Sequence, residues 1–79
     1  MNKLNNIKIA TKGLILNGEF KDWHIFIEDL NKGEGAYLIL LTSPDDTKGY
    51  DDWVENFQSL EGYLHETKWK IIWLDEKQN

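Results

Sequence analysis

Residues 44–66, PDDTKGYDDWVENFQSLEGYLHE, decide how this chain is read. Tyr50, Trp53, Val54, Phe57, Leu60 and Leu64 recur at intervals of three and four, which predicts an amphipathic helix over residues 49–65. Asp51 and Asp52 would fall in its first turn, where negative charge suits the helix dipole. The stretch holds seven acidic side chains against one lysine. One face of the expected helix is thus anchored in a core and the other displays negative charge. Gly62, late in the segment, weakens it by about 1 kcal/mol relative to alanine.

Outward from this stretch, the chain reads as strands. Loose alternation over residues 7–16 suggests one strand interrupted by a bend or bulge at Gly13. Asn17-Gly18 is a turn signal. Over residues 23–30, Trp23, Ile25 and Ile27 would share one side, and His24, Phe26 and Glu28 the other. Residues 31–35, with two glycines, suit a hairpin connection. Residues 37–41 form a continuous apolar run, as expected of a central strand, ended by Pro44, which cannot donate a ladder hydrogen bond. Residues 68–74 read as the last strand, and the polar tail from Asp75 is expected to fray.

The fold class that follows is α+β. It comprises an antiparallel four-stranded sheet with one amphipathic helix packed on one face, in the order β-β-β-α-β. Trp53, Val54, Phe57 and Leu64 are expected to meet Ile25, Ile27, Ile39, Leu41, Ile71 and Trp73. The 79 residues make a single domain, 1–79, near the lower limit for a core without crosslinks. Cysteine is absent, which excludes disulfides and thiolate metal sites and is compatible with a reducing cytoplasm. No apolar run approaches the roughly 20 residues a membrane span requires. A soluble, cytoplasmic protein is expected.

Hydrophobic residues make up 41% of the chain and aromatic residues 13%, enough apolar area to fold rather than remain an acidic disordered tail. All nine basic residues are lysine, so the bidentate guanidinium fork that grips phosphate is missing. The net charge is −5, distributed as +3 over residues 1–16, −3 over 17–43, −6 over 44–66 and +1 over 67–79. Such a field repels nucleic acid and attracts a basic protein, chiefly by raising the association rate. Acids on a solvated face that only maintain solubility are the plain alternative.

No catalytic residues are assigned. The histidines are His24 and His65, the serines Ser43 and Ser59, and no nucleophile motif surrounds either serine. His65, at the expected helix end, suits the terminal carbonyls. Asp45, Asp46, Asp51 and Asp52 crowd together without the alternating-oxygen spacing of a calcium loop, so no metal and no cofactor are assigned. Aromatic rings beside carboxylates form typical protein-binding hot spots. Asp45, Asp46, Tyr50, Asp51, Asp52 and Glu55 are therefore the candidate partner-binding residues, with Trp69 and Lys70 as a second patch of opposite charge.

GEFKDWHIFIEDLNKGEGAYLILL (residues 18–41), GYDDWVENFQSLEGYL (49–64) and KWKIIWL (68–74) resemble the small, tryptophan-rich immunity proteins of bacterial polymorphic and contact-dependent toxin systems. The resemblance lies in size, element order and the acidic, tryptophan-bearing segment, with no invariant motif to transfer. It implies a cytoplasmic protein that binds a cognate toxin domain, often a nuclease, and blocks it; by charge, an acidic inhibitor could occupy a nuclease's basic cleft or its rim. Two alternatives stand beside it, the first of the same physical type and equally suited by size and charge, the second of a different class. One is a phage-encoded nucleic-acid mimic acting on a defence complex, and the other is a non-catalytic module that self-associates through a sheet edge.

Overall fold

A computed structural model of the protein describes residues 7–30 and 35–74. Its elements are β1 (Lys12–Ile15), β2 (His24–Asp29), β3 (Tyr37–Thr42), β4 (Gly49–Val54), α1 (Phe57–Thr67) and β5 (Ile71–Trp73). The α+β class and antiparallel sheet agree with the sequence reading. Among the described residues the sheet has five strands rather than four, in the order β4-β3-β2-β1-β5. Most of the hairpin expected over residues 31–35, and the tail from Asp75, lie outside the described residues.

The additional strand comes from the stretch that decided the reading. Residues 49–54 are not the first half of a helix: they pair antiparallel with β3, Leu41 opposite Tyr50 and Ile39 opposite Asp52. Tyr50, Trp53 and Val54 satisfy both a helical stripe and a pleated strand, so local spacing leaves the choice open. The outer edge of the apolar strand β3 settles it, because its unpaired backbone groups need a ladder. β-Branched and aromatic side chains also fit a pleated surface.

The helix begins instead at Phe57. Asn56 is extended, at φ −160° and ψ 174°, and its side-chain oxygen accepts the amide of Ser59 at 2.7 Å, an N-cap. At the other end Lys68 turns left-handed at φ 58° and donates its amide to the His65 carbonyl, with His65 in the last turn as expected.

Alternation assigns the two faces of the sheet. Ile15, Ile25, Ile27 and Ile39 are fully buried on one, and Leu60 of α1 is fully buried against the same cluster. Each such side chain contributes about 1.5–3 kcal/mol on leaving water. Leu64 and Trp69 complete the core, with Ile7, Ile9 and Trp73 at its margin. Val54, Leu64, Ile71 and Trp73 are thus placed as expected, whereas Trp53 and Phe57 are 58% and 41% exposed. Trp53 lies on the far face of β4, and Phe57 meets the Tyr37 ring edge-on at 5.9 Å.

β1 is shorter than expected, Lys12–Ile15, and Gly13 makes no bend in it. Gly13 pairs in register with both Ile25 and Trp73. A Cβ there would come within 2.8 Å of Ile71 and of the Trp73 ring. Glycine is therefore present because a large ring lies across the strand, not because the strand breaks.

Candidate functional site: an aromatic cleft rimmed by carboxylates

The turn between β1 and β2 builds one wall of a cleft. Gly18, at φ 83°, lets the chain reverse, Lys21 donates its amide to the Gly18 carbonyl, and Trp23 donates to the Phe20 carbonyl. Asn17 fastens this turn to the segment between α1 and β5: its side-chain amide donates to the Lys68 carbonyl at 3.1 Å, and its oxygen accepts the Lys70 amide at 2.7 Å. Trp69 is thereby fixed beside Phe20, buried to 7% exposure. The outward patch expected of Trp69 and Lys70 does not exist as a unit, since Trp69 belongs to the core.

Aromatic rings meet at this point from three parts of the chain. Phe20 stands edge-on to Trp23, Tyr50 and Trp69, at centroid distances of 4.8, 5.9 and 5.8 Å. Tyr50 lies flat on Trp23, 5.6 Å away with ring planes 6° apart. Edge-to-face and offset contacts of this kind add about 0.5–1.5 kcal/mol each beyond area burial. Tyr50 is anchored on one side and still 57% exposed.

The cleft these rings border has a volume of about 570 Å³; Phe20, Tyr50, Tyr63 and Trp69 line it together with Asp52 and Glu66. The Tyr63 hydroxyl donates to Asp52 Oδ2 at 2.8 Å. Burial, then the hydrogen bond to Asp52 and its charge, push the Tyr63 phenol well above its ordinary range. It therefore stays a neutral donor, and Asp52 stays an oriented acceptor at the rim.

The six residues proposed from sequence do not form one plate. Tyr50 and Asp52 enter the cleft. Asp51 borders it, but strand alternation and its pairing with Leu40 carry its side chain to the opposite face. The expectation of a continuous anionic helix exterior is therefore corrected, because a strand's period of two separates neighbours that a helix would have kept together.

Asp45 is occupied within its own turn. Its Oδ1 accepts the Thr47 hydroxyl at 2.7 Å, the Ser43 hydroxyl at 2.8 Å and the Thr47 amide at 3.1 Å. These bonds, the Thr47 hydroxyl foremost, hold its carboxyl below the usual range. Asp46 sits exposed at φ 67° in the same turn, and Glu55 is exposed between β4 and α1. Ser43 is buried and holds the turn: its hydroxyl oxygen accepts the Thr47 and Lys48 amides.

Phe20, Tyr63, Glu66 and Trp69 were not singled out together by sequence reasoning. They lie up to 49 positions apart, and only the Asn17 clasp and the α1 crossover bring them to one place. Among the described residues, no group of three or more His, Asp or Glu side chains could hold a metal ion. No helix there is long and apolar enough to cross a membrane. No family model, curated protein or solved structure matches the chain.

Proposed function

We propose that the protein is an inhibitor of the immunity type, binding a basic toxin domain through the aromatic cleft and its carboxylate rim. One observation carries the reading: ring faces and ring edges converge with Asp52 and Glu66 on a single concave site. Aromatic faces attract ammonium and guanidinium groups by their quadrupole, and the carboxylates add charge and direction. A lysine or arginine from the toxin fits this chemistry. Tyr50, stacked on Trp23 and largely exposed, is the aromatic anchor.

Asp46 and Glu55 lie outside the cleft and act at longer range, raising the encounter rate with a cationic surface. A nuclease must hold polyanionic substrate in a basic groove. An acidic domain seated there excludes substrate by volume and charge, without chemistry of its own.

The test is a pull-down from the source cell, followed by co-expression with any basic toxin domain that is captured. Restored growth and a stoichiometric complex are expected, with an association rate that falls steeply as salt rises. Asp52→Lys and Tyr50→Ala should each weaken the complex at least tenfold, while Asp51→Lys, on the other face, should have little effect. No rescue and no complex, or equal sensitivity at Asp51 and Asp52, would overturn the reading.

A further inference from the structure

β4 ends one side of the sheet, and among the described residues no strand lies beyond it. Its register shows which backbone groups face outward. The Ser43 amide donates to the Lys48 carbonyl at 2.9 Å, and bonded and unbonded pairs alternate along an antiparallel ladder. Tyr50, Asp52 and Val54, opposite Leu41, Ile39 and Tyr37, therefore turn their amides and carbonyls toward β3. Gly49, Asp51 and Trp53 turn theirs away from the sheet, where they form a template for a further strand.

Two large rings stand along this edge, on opposite faces of it. Tyr50, on the cleft face, is 57% exposed, and Trp53, on the other, is 58% exposed. A single side chain inserted in the cleft would leave Trp53 bare. An extended segment laid beside β4 instead sets alternate side chains against both rings. Charge selects the segment. Asp52, held by the Tyr63 hydroxyl, lines the cleft with Glu66, and residues 44–66 hold seven acidic side chains against one lysine. Charged side chains on an edge repel a strand of like charge, so a second copy of β4 is disfavoured and a cationic segment is admitted.

We propose that β4 takes up an extended cationic segment of its partner as a further antiparallel strand. The inference rests on the reading of the partner as a basic protein and adds the form in which it binds. Lysine or arginine stands opposite Tyr50 and Asp52, facing the cleft, and apolar residues stand opposite Gly49, Asp51 and Trp53. The apolar positions carry the main-chain bonds, and the cleft selects the charge. The Asp51 amide is needed; its side chain, directed away from the cleft, is not.

The probe is a pentapeptide of alternating valine and lysine, valine at both ends and both ends blocked, added at millimolar concentration to the full chain. Amide hydrogen exchange read by nuclear magnetic resonance should slow at Gly49, Asp51 and Trp53. N-methylation of the valines, which blocks the bonds to β4, should weaken binding at least tenfold, and N-methylation of the lysines should not. A glutamate and valine peptide should fail to bind. Asp51→Pro removes one outward amide at an edge position where proline is tolerated. It should weaken the peptide at least tenfold, whereas Asp51→Ala, with the same loss of charge, should not. Shifts at Tyr50 and Tyr63 without protection of the three amides would keep the cleft as a cation site and overturn strand addition. No response to the peptide, or indifference to valine N-methylation, would overturn it as well. Protection of the edge with no basic toxin captured from the cell would keep strand addition and sink the toxin reading.

Discussion

The Tyr63 hydroxyl donates to Asp52 across 2.8 Å, and this contact ties α1 to the outermost strand of the sheet. Among the described residues β4 has a neighbour on one side only, so the bond gives an edge strand a second attachment and closes one wall of the cleft. Asp52 belongs to a strand at all only because residues 49–54 leave the helical register.

Tyr63→Phe removes the donor while keeping the ring against Trp69. The bond is solvent-accessible, so its loss should cost about 1 kcal/mol rather than the larger figure for a buried charged pair. The pH dependence has a definite sign. A phenol whose folded value is raised contributes stability that is complete below its unfolded value of 10.0 and is lost as pH rises toward the folded value. Urea titrations from pH 8 to 11 should show the native protein weakening above about pH 10 more steeply than the Phe variant.

Gly62 lies inside α1, and a Cβ built on it meets nothing within 4 Å. Gly62→Ala should therefore recover the helix propensity that glycine forfeits, about 0.8–1 kcal/mol. A thermal melt showing no gain would mean that the helix interior is constrained there by something other than backbone entropy.

Gly13→Ala should have the opposite sign. The added methyl would overlap the Trp73 ring and Ile71 Cγ2, and overpacking of this kind costs about 1–3 kcal/mol. Pairing the change with Trp73→Leu should recover part of the loss, and a double-mutant cycle by chemical denaturation measures how much.

Asp45 keeps its own turn closed, so Asp45→Asn should lower the melting temperature at neutral pH. Its carboxyl is held below the ordinary value of 3.8. The stabilisation is therefore present above that value and disappears as pH falls through the lower, folded one. Melting curves of the two proteins should converge in strong acid. A gap that persists there would assign the effect to shape rather than charge.

The fold was partly legible because hydrophobic spacing speaks clearly where only one period fits. Ile25 and Ile27 against His24, Phe26 and Glu28, and the apolar run of β3, could be placed on faces directly. Residues 49–54 could not, because Tyr50, Trp53 and Val54 satisfy both periods. The discriminating signal was Asn56, a favoured N-cap residue that starts a helix later than the Asp51-Asp52 pair suggests. Tyr50 and Asp52 were found from sequence, being aromatic and acidic neighbours. Phe20, Tyr63, Glu66 and Trp69 could not be joined to them, because no local rule reports that three distant segments converge.

By itself the sequence determined the class of the molecule: an antiparallel sheet with one helix, a core of aliphatic and aromatic residues, an acidic surface and no cysteine chemistry. These follow from composition and short-range periodicity, which are properties of neighbouring residues. Tertiary structure decided that β4 exists, that Asp51 and Asp52 face opposite ways, that Trp69 is core and Trp53 surface, and that Trp23, Tyr50 and Trp69 gather around Phe20. The reason is that strand pairing rewards a segment for the edge it meets, and that edge lies elsewhere in the chain.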